Sequence, residues 1–387
     1  MNNKYKILIF IDWFLPGFRA GGPIRSIANL IEHLSEFFDF FIVTSDTDYL
    51  QNKPYDNIEP DKWLNFNFWV KIIYLSKQNL KFNTIKNLIE QQNYDLILIN
   101  GIFSVYFSIV PLYFAKRMKK KIIVSPRGML SQQAFSRKAF VKKLFIKVNQ
   151  ILGFYKNVIF HTTSVQENND VLALLSRNKI YFIPNLPRKI LLKNNNNCLQ
   201  KQKGKLKLVS IARISQEKNT KFALEILSNI VEGKVEFDIY GGIYDKDYWQ
   251  QCSQIIEKIE NVKVKYCGTI DTQKVQQTFA NYHFAFMPSK AENFGHSILE
   301  CLSAGTPVII SNTTPWQNLQ YLGIGWDLEL EDKNKFVDVI KQSINMENEQ
   351  YQQMRNNASE FAKNYFKNNS DAEKYIKMFT DVAQQTI

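Results

Sequence analysis

Short apolar runs rich in β-branched and aromatic residues alternate along this chain with stretches whose apolar positions recur at helical spacing. In the first half the runs are KILIFI, FFIVTS, DLILIN, KIIVSP, VIFHTT and YFIPN, and helices are expected over 23–34, 104–118 and 165–175. Residues 193–207, with four consecutive Asn and five Lys, break the composition and read as a linker or exposed loop. The alternation then restarts with KLVSIAR, FDIYG, VKVKYCG, HFAFMPS and TPVIIS, with helices over 220–231, 248–260, 272–281 and 296–304. Strands that alternate with helices build parallel, doubly wound sheets. A chain of 387 residues is longer than one core usually grows. The expectation is an α/β protein of two Rossmann-like domains, 1–190 and 191–370, facing a cleft. A last helix within 371–387 is expected to pack back on either domain, with the first taken as its place. Ligands of such sheets bind beyond the carboxyl ends of the strands.

The N-terminal apolar run is interrupted by Asp12 and lacks a small-residue cleavage site, so it reads as a first strand rather than a secretory signal. The expectation is a cytoplasmic protein. The stretch 96–115 approaches the length of a membrane span and is followed by five cations, but Asn100, Gly101 and Pro111 favour a strand, a turn and a buried helix. Cys198, Cys252, Cys267 and Cys301 show no metal-like spacing and no disulfide framework. With 45% hydrophobic and 22% charged residues, the composition is that of an ordinary globular protein.

Charge changes the picture of the first domain. The net charge is +13, and all of the excess lies in residues 1–190, where 26 Lys and Arg face 13 Asp and Glu. No acidic residue occurs between Asp95 and Glu167, against twelve basic ones. Over 135–148 the cations alternate with Phe135, Phe140, Leu144, Phe145 and Val148 at roughly helical spacing, which suits a helix lying on anionic headgroups. Each such cation contributes on the order of 1 kcal/mol near an acidic leaflet. The expected partner is an anionic membrane surface. No nucleic acid is expected, because no nucleic-acid-binding motif accompanies the charge.

The candidate chemistry concentrates in the second half. Glu292 and Glu300 bracket Asn-Phe-Gly-His-Ser-Ile-Leu, after the strand HFAFMPS. On a helix, eight residues span about 12 Å, whereas a glycosidase acid/base pair sits about 5–9.5 Å apart. The pair suits two hydrogen-bond acceptors at opposite ends of an extended ligand, with backbone N–H groups at 293–296 offered to a phosphate between them. Arg213 and Lys218, between a strand and a helix, supply countercharge for a diphosphate leaving group.

With Gly21-Gly22-Pro23, Ser125-Pro-Arg-Gly-Met-Leu130, His161-Thr-Thr-Ser164, Tyr240-Gly-Gly242 and Tyr248-Trp249, these residues make the chain resemble retaining glycosyltransferases of glycosyltransferase family 4, which have the GT-B fold. The resemblance implies that Arg213, Lys218 and Glu292 carry the catalysis. Glu300 would bind the ribose, Asn293, Phe294 and Gly295 the sugar and phosphate, and Gly21, Gly22 and Gly241 would flank the donor. Arg127 stands where relatives often carry a histidine near the donor sugar, and is placed with the donor-binding residues. His161 is the candidate acceptor contact, or else a strand-end histidine satisfied by backbone. Asp46-Thr-Asp48 imitates a metal-binding motif but reads as loop chemistry, so neither metal nor other cofactor is expected.

The implied activity is transfer of a sugar from a nucleoside-diphosphate sugar to a hydroxyl of a lipid-linked saccharide. That is a hexosyltransferase-type step of bacterial surface polysaccharide or lipopolysaccharide biosynthesis, at the inner face of the plasma membrane. Two other readings use the same features: a nucleotide-sugar epimerase of the same fold, and a non-catalytic glycosyltransferase-like subunit.

Overall fold

A computed structural model describes residues 4–130, 146–150, 153–189 and 199–385. The chain divides into two compact units, Met1–Lys189 with Ser370–Ile387, and Ile190–Asn369.

In the first unit an eight-stranded sheet runs in the order β3-β4-β2-β1-β5-β6-β7-β8. Its members are β1 (Tyr5–Ile11), β2 (Phe38–Ser45), β3 (Trp63–Asn67), β4 (Val70–Leu75), β5 (Leu96–Asn100), β6 (Ile122–Ser125), β7 (Ile159–Thr162) and β8 (Ile180–Phe182). All pairings are parallel except β3 with β4. Central strands read as continuous apolar runs because both faces are covered: Ile7, Ile9 and Ile11 enter one core, and Leu8 and Phe10 the other. The β3–β4 hairpin falls outside the runs recognised in the sequence. Its edge strand is mostly exposed and carries Asn65 and Asn67.

The stretch 96–115 is β5, a turn, one π-helical turn (Val105–Ile109) and a short α-helix, Val110–Arg117. Pro111 has no N–H to donate back along the helix, and the backbone widens beside it, with Ile109 N donating to Ser104 O at 2.9 Å. Among the described residues no helix is long and apolar enough to cross a membrane. The basic stretch 135–148 lies almost wholly outside the described residues.

The helix Asp371–Gln384 belongs to this first unit. Tyr375, Met378, Phe379 and Val382 are buried in the same core as Ile7, Ile9 and Phe38, and Phe379 meets Phe38 edge to face at 5.5 Å. Lys121 Nζ donates to the Ala383 carbonyl near the helix end.

The second unit has a six-stranded parallel sheet in the order β11-β10-β9-β12-β13-β14. Its strands are β9 (Lys205–Ile211), β10 (Lys234–Tyr240), β11 (Val262–Gly268), β12 (Phe284–Met287), β13 (Val308–Ser311) and β14 (Gly325–Leu328). Edge strand β11 carries Lys263 and Lys265, which discourage pairing with another chain. Of the stretch 193–207, read as a linker or exposed loop, the residues from Leu199 on are described, and the last of them open β9. Lys201 is 3% exposed, and its ammonium donates to the Gln202 and Ile344 carbonyls at 3.0 and 2.9 Å. Two helices not recognised in the sequence, Lys333–Asn345 and Asn348–Asn368, complete the unit.

Phe379→Ala removes a fully buried ring from the face that the returning helix closes. It should cost about 3–5 kcal/mol, read as a lower denaturant midpoint for the first unit's transition.

Candidate active site

Three loops at the carboxyl edge of the second sheet, with the helix that follows one of them, gather most of the residues singled out above. After β9 the chain turns through Arg213, Ser215 and Lys218, with Lys218 N donating to Ser215 O at 3.1 Å, before the helix Thr220–Leu227. After β12 comes the loop carrying Glu292, and Lys290 N donates to Glu217 O at 2.8 Å, tying the two loops together. Lys218 Nζ lies 2.6 Å from Glu292 Oε1. Their side chains are 11% and 16% exposed, so water screens the pair poorly and each charge depends on the other. Ser289 Oγ donates to the same Oε1 at 3.0 Å. Arg213 is held by Glu217, at 3.5 Å, and lies over the Tyr244 ring, 5.1 Å from its centroid.

The helix carrying Glu300 begins only at His296 (His296–Ser303). Glu292 is therefore on the preceding loop, and the helical 12 Å estimate does not apply to the pair. Gly295 caps this helix at φ 76°, and a Cβ there would stand 2.9 Å from Ile298 Cδ1. Phe294 is buried against Trp316, whose indole Nε1 donates to the Phe294 carbonyl at 2.5 Å. Just inside the helix the Ile298 amide donates back to the Gly295 carbonyl at 2.9 Å, so the helix turns directly off this glycine. Glu300 follows one turn on and is buried.

Gly241, after β10, is required by space as much as by conformation. At φ 147° a Cβ would overlap the Ala212 carbonyl oxygen at 1.8 Å. The backbone of 241–243 thus lies against 212–214, with Ile214 N donating to Gly242 O at 2.9 Å. Tyr248 packs inside the unit, its hydroxyl accepting from Lys221 N at 2.9 Å, which gives it a structural role between two helix starts.

The other candidates, Gly21, Gly22, Arg127 and His161, lie in the first unit. Gly21, at φ 69°, caps the helix Gly22–Leu34. The loop before it is organised by Asp48, whose carboxylate accepts from the amides of Phe18, Arg19 and Tyr49 at 2.7–3.3 Å. Asp48 acts on its loop as a hydrogen-bond acceptor. Among the described residues no group of three or more His, Cys, Asp or Glu could hold a metal ion.

His161 does not offer a ring nitrogen outward, as an acceptor contact would require. It is 1% exposed, with Nδ1 2.8 Å from Ser125 Oγ and Nε2 3.0 Å from the Ile183 carbonyl. Burial, with the nearby Arg127 charge, pushes its pKa down to about 3. The ring is therefore neutral, with Nε2–H donating to Ile183.

Arg127 joins the same network. Its backbone sits at φ 56°, and Nε and Nη1 each donate at 2.6 Å, to Asn100 and Asn185. The Tyr375 side chain from the returning helix is a further hydrogen-bond partner. Glu167 completes the knot, accepting from Gly128 N, Thr163 N and Thr163 Oγ1 at 2.6–2.7 Å. Arg127 is thus held by residues of its own unit.

Residues 193–361 match the family model described as "Glycosyl transferases group 1". Over 317 residues, 79% of this chain and 84% of the relative, the sequence is 25% identical to an "Uncharacterized 41.2 kDa protein in cps region" of Klebsiella pneumoniae. Two solved structures share the fold. One is Anabaena HepE in complex with UDP and glucose, at TM-score 0.69 and 15% identity, covering 97% of this chain and 100% of that one. The other is WaaG, a glycosyltransferase involved in lipopolysaccharide biosynthesis, at TM-score 0.63 and 12% identity, covering 97% and 99%. The fold is that of the GT-B glycosyltransferases. With the group 1 domain on its second unit, the chain is a nucleotide-sugar-dependent glycosyltransferase.

Two outcomes test this description. Gly241→Ala should lose roughly 1–3 kcal/mol or more, while Gly242→Ala, whose Cβ would meet only Tyr244 Cε2 at 3.6 Å and more distant atoms, should unfold at the parent's urea midpoint. For His161 the folded pKa lies below the unfolded value of about 6.5. Between about pH 6.5 and 3 the unfolded state takes up a proton that the native ring refuses, so stability falls as the solution is acidified through this window. Thermal melts of His161→Gln should show a shallower acid-side fall than those of the parent.

Proposed function

We propose that the protein moves a sugar from a nucleoside-diphosphate sugar to a hydroxyl of a lipid-linked saccharide, with retention of anomeric configuration and without a divalent metal. The step belongs to bacterial surface polysaccharide assembly, and the protein works as a peripheral enzyme at the inner face of the plasma membrane. The Klebsiella relative's place in a cps region and the lipopolysaccharide role of WaaG support this setting. The UDP and glucose held by HepE support the donor class.

The observation that carries the reading is the Lys218–Glu292 pair, 2.6 Å apart, with Lys218 on the same loop as Arg213 and Glu292 three residues before the helix cap Gly295. In the absence of donor, Glu292 neutralises Lys218. An arriving diphosphate supplies an alternative anion for Lys218 and Arg213, and the released carboxylate becomes an acceptor for a sugar hydroxyl. The acceptor hydroxyl then attacks the anomeric carbon while the bond from that carbon to the β-phosphate oxygen breaks. The proton passes to the leaving phosphate. Arg213 and Lys218 stabilise the charge that grows on the diphosphate, and Glu300 holds the ribose.

Arg213→Ala and Lys218→Ala should each lower turnover by about 10²–10³-fold while the protein still melts cooperatively; parental turnover in either would remove the diphosphate role. In a thermal-shift panel of nucleoside diphosphates, one base series should stabilise the parent, by roughly 2.7 kcal/mol at a hundred times its Kd. Glu300→Ala should abolish that shift, and adding Mg²⁺ should leave the parent's shift unchanged. A response to every base, or to none, would overturn the donor assignment.

A further inference from the structure

The first unit carries an apolar and cationic surface that the candidate site does not use. In the helical segment after β5, Val105, Ile109, Tyr113 and Arg117 are spaced four residues apart, so they lie along one side. Val105 is 49% exposed and Tyr113 43%; Ile109 is half-buried and Arg117 exposed. The neighbouring helix Phe82–Glu90 extends the stripe. Phe82, 56% exposed, meets the Tyr106 ring edge to face at 6.0 Å, and Lys86 lies one turn further along.

Apart from Glu90, which pairs with Lys86, the charges on this surface are positive. The Arg117 guanidinium lies over Tyr113, 5.7 Å from the ring centroid, and donates to its hydroxyl at 2.7 Å. Lys119 and Lys120 follow in the next turn. Lys116 is turned instead to the Gly153 and Phe154 carbonyls, and Lys121 to Ala383. The nearest acids in sequence are already engaged: Glu90 with Lys86 at 3.7 Å, and Asp95 with the Lys6 amide at 2.8 Å. No further Asp or Glu occurs until Glu167.

Exposed rings and aliphatic groups set among unneutralised cations suit a bilayer interface. There the apolar bodies reach the acyl boundary while guanidinium and ammonium groups meet phosphate. Sugar hydroxyls would call for carboxylate partners, and the one carboxylate on this face is paired. We propose that the surface formed by residues 82–90 and 105–120 docks the protein on an anionic lipid bilayer. The proposal rests on the peripheral-membrane reading given above and locates it on particular side chains.

The test is co-sedimentation of the full chain with phosphatidylcholine vesicles, with and without phosphatidylglycerol. Binding is expected only on the anionic vesicles. Arg117→Gln combined with Lys120→Gln should weaken it about thirtyfold, on the order of fivefold per cation. Val105→Ser combined with Tyr113→Ser should weaken it as well, at an unchanged Tm. Tyr113→Trp should gain an emission blue shift over the parent on anionic vesicles, and Tyr321→Trp, exposed in the second unit, should not. Equal binding to neutral vesicles, or undiminished binding in both double variants, overturns the proposal. The nucleotide-induced thermal shift of the double variants should equal the parent's. If the parent shows no nucleotide shift yet binds anionic vesicles through these residues, the donor assignment fails and this surface stands.

Discussion

A parallel strand can be followed by another only if the chain crosses a face of the sheet and starts again from the same end. The chain therefore leaves every strand at one edge, and the loops that carry polar side chains collect there. In the second unit this constraint brings Arg213 after β9, Gly241 after β10 and Glu292 after β12 to a single edge. Residues more than seventy positions apart, such as Lys218 and Glu292, become an ion pair because β9 and β12 are hydrogen-bonded neighbours.

The same constraint acts on the first unit with a different result. Asn100 at the end of β5, Arg127 after β6 and Thr163 after β7 also meet at one edge, but here they interlock with Glu167, Asn185, His161 and Tyr375. A buried polar network whose members satisfy one another rigidifies what it contains. It holds Arg127 at a positive φ that a non-glycine residue adopts only when its surroundings impose it. The second unit's edge keeps its charges in pairs that an incoming anion can exchange, whereas the first unit's edge leaves little to exchange.

Much of the fold is legible in the sequence because strands buried on both faces are unbroken apolar runs. The helix Asn348–Asn368 is not legible for the opposite reason. Its buried residues are Tyr351, Arg355, Ala358 and Ala362, a narrow stripe containing an arginine and two alanines that does not register as apolar. The hairpin Trp63–Leu75 is hidden by Asn65 and Asn67 on an exposed edge. At the site, Glu292, Glu300, Arg213 and Lys218 stand out because charged residues at strand ends are informative. Ser289, Glu217 and Trp316 do not, since a serine, a glutamate between two cations and a tryptophan beyond the motif have ordinary explanations until the loops are seen together. His161 reads in the sequence as an acceptor contact or as a strand-end histidine satisfied by backbone, and because residue type does not report depth, only the fold selects the second.

The first unit is closed by residues 371–384, so its hydrophobic core is incomplete until the chain beyond Asn369 has been made. Ribosomal synthesis delivers those residues only after all of Ile190–Asn369, a continuous segment with a complete sheet of its own. The order of emergence and the order of completion are thus reversed. The second unit is positioned to finish folding first, while the face of the first sheet that will receive Tyr375, Met378 and Phe379 waits uncovered. A stop just before residue 371 would spare the second unit and leave the first unit with an open apolar face, the kind of lesion that chaperones and proteases recognise.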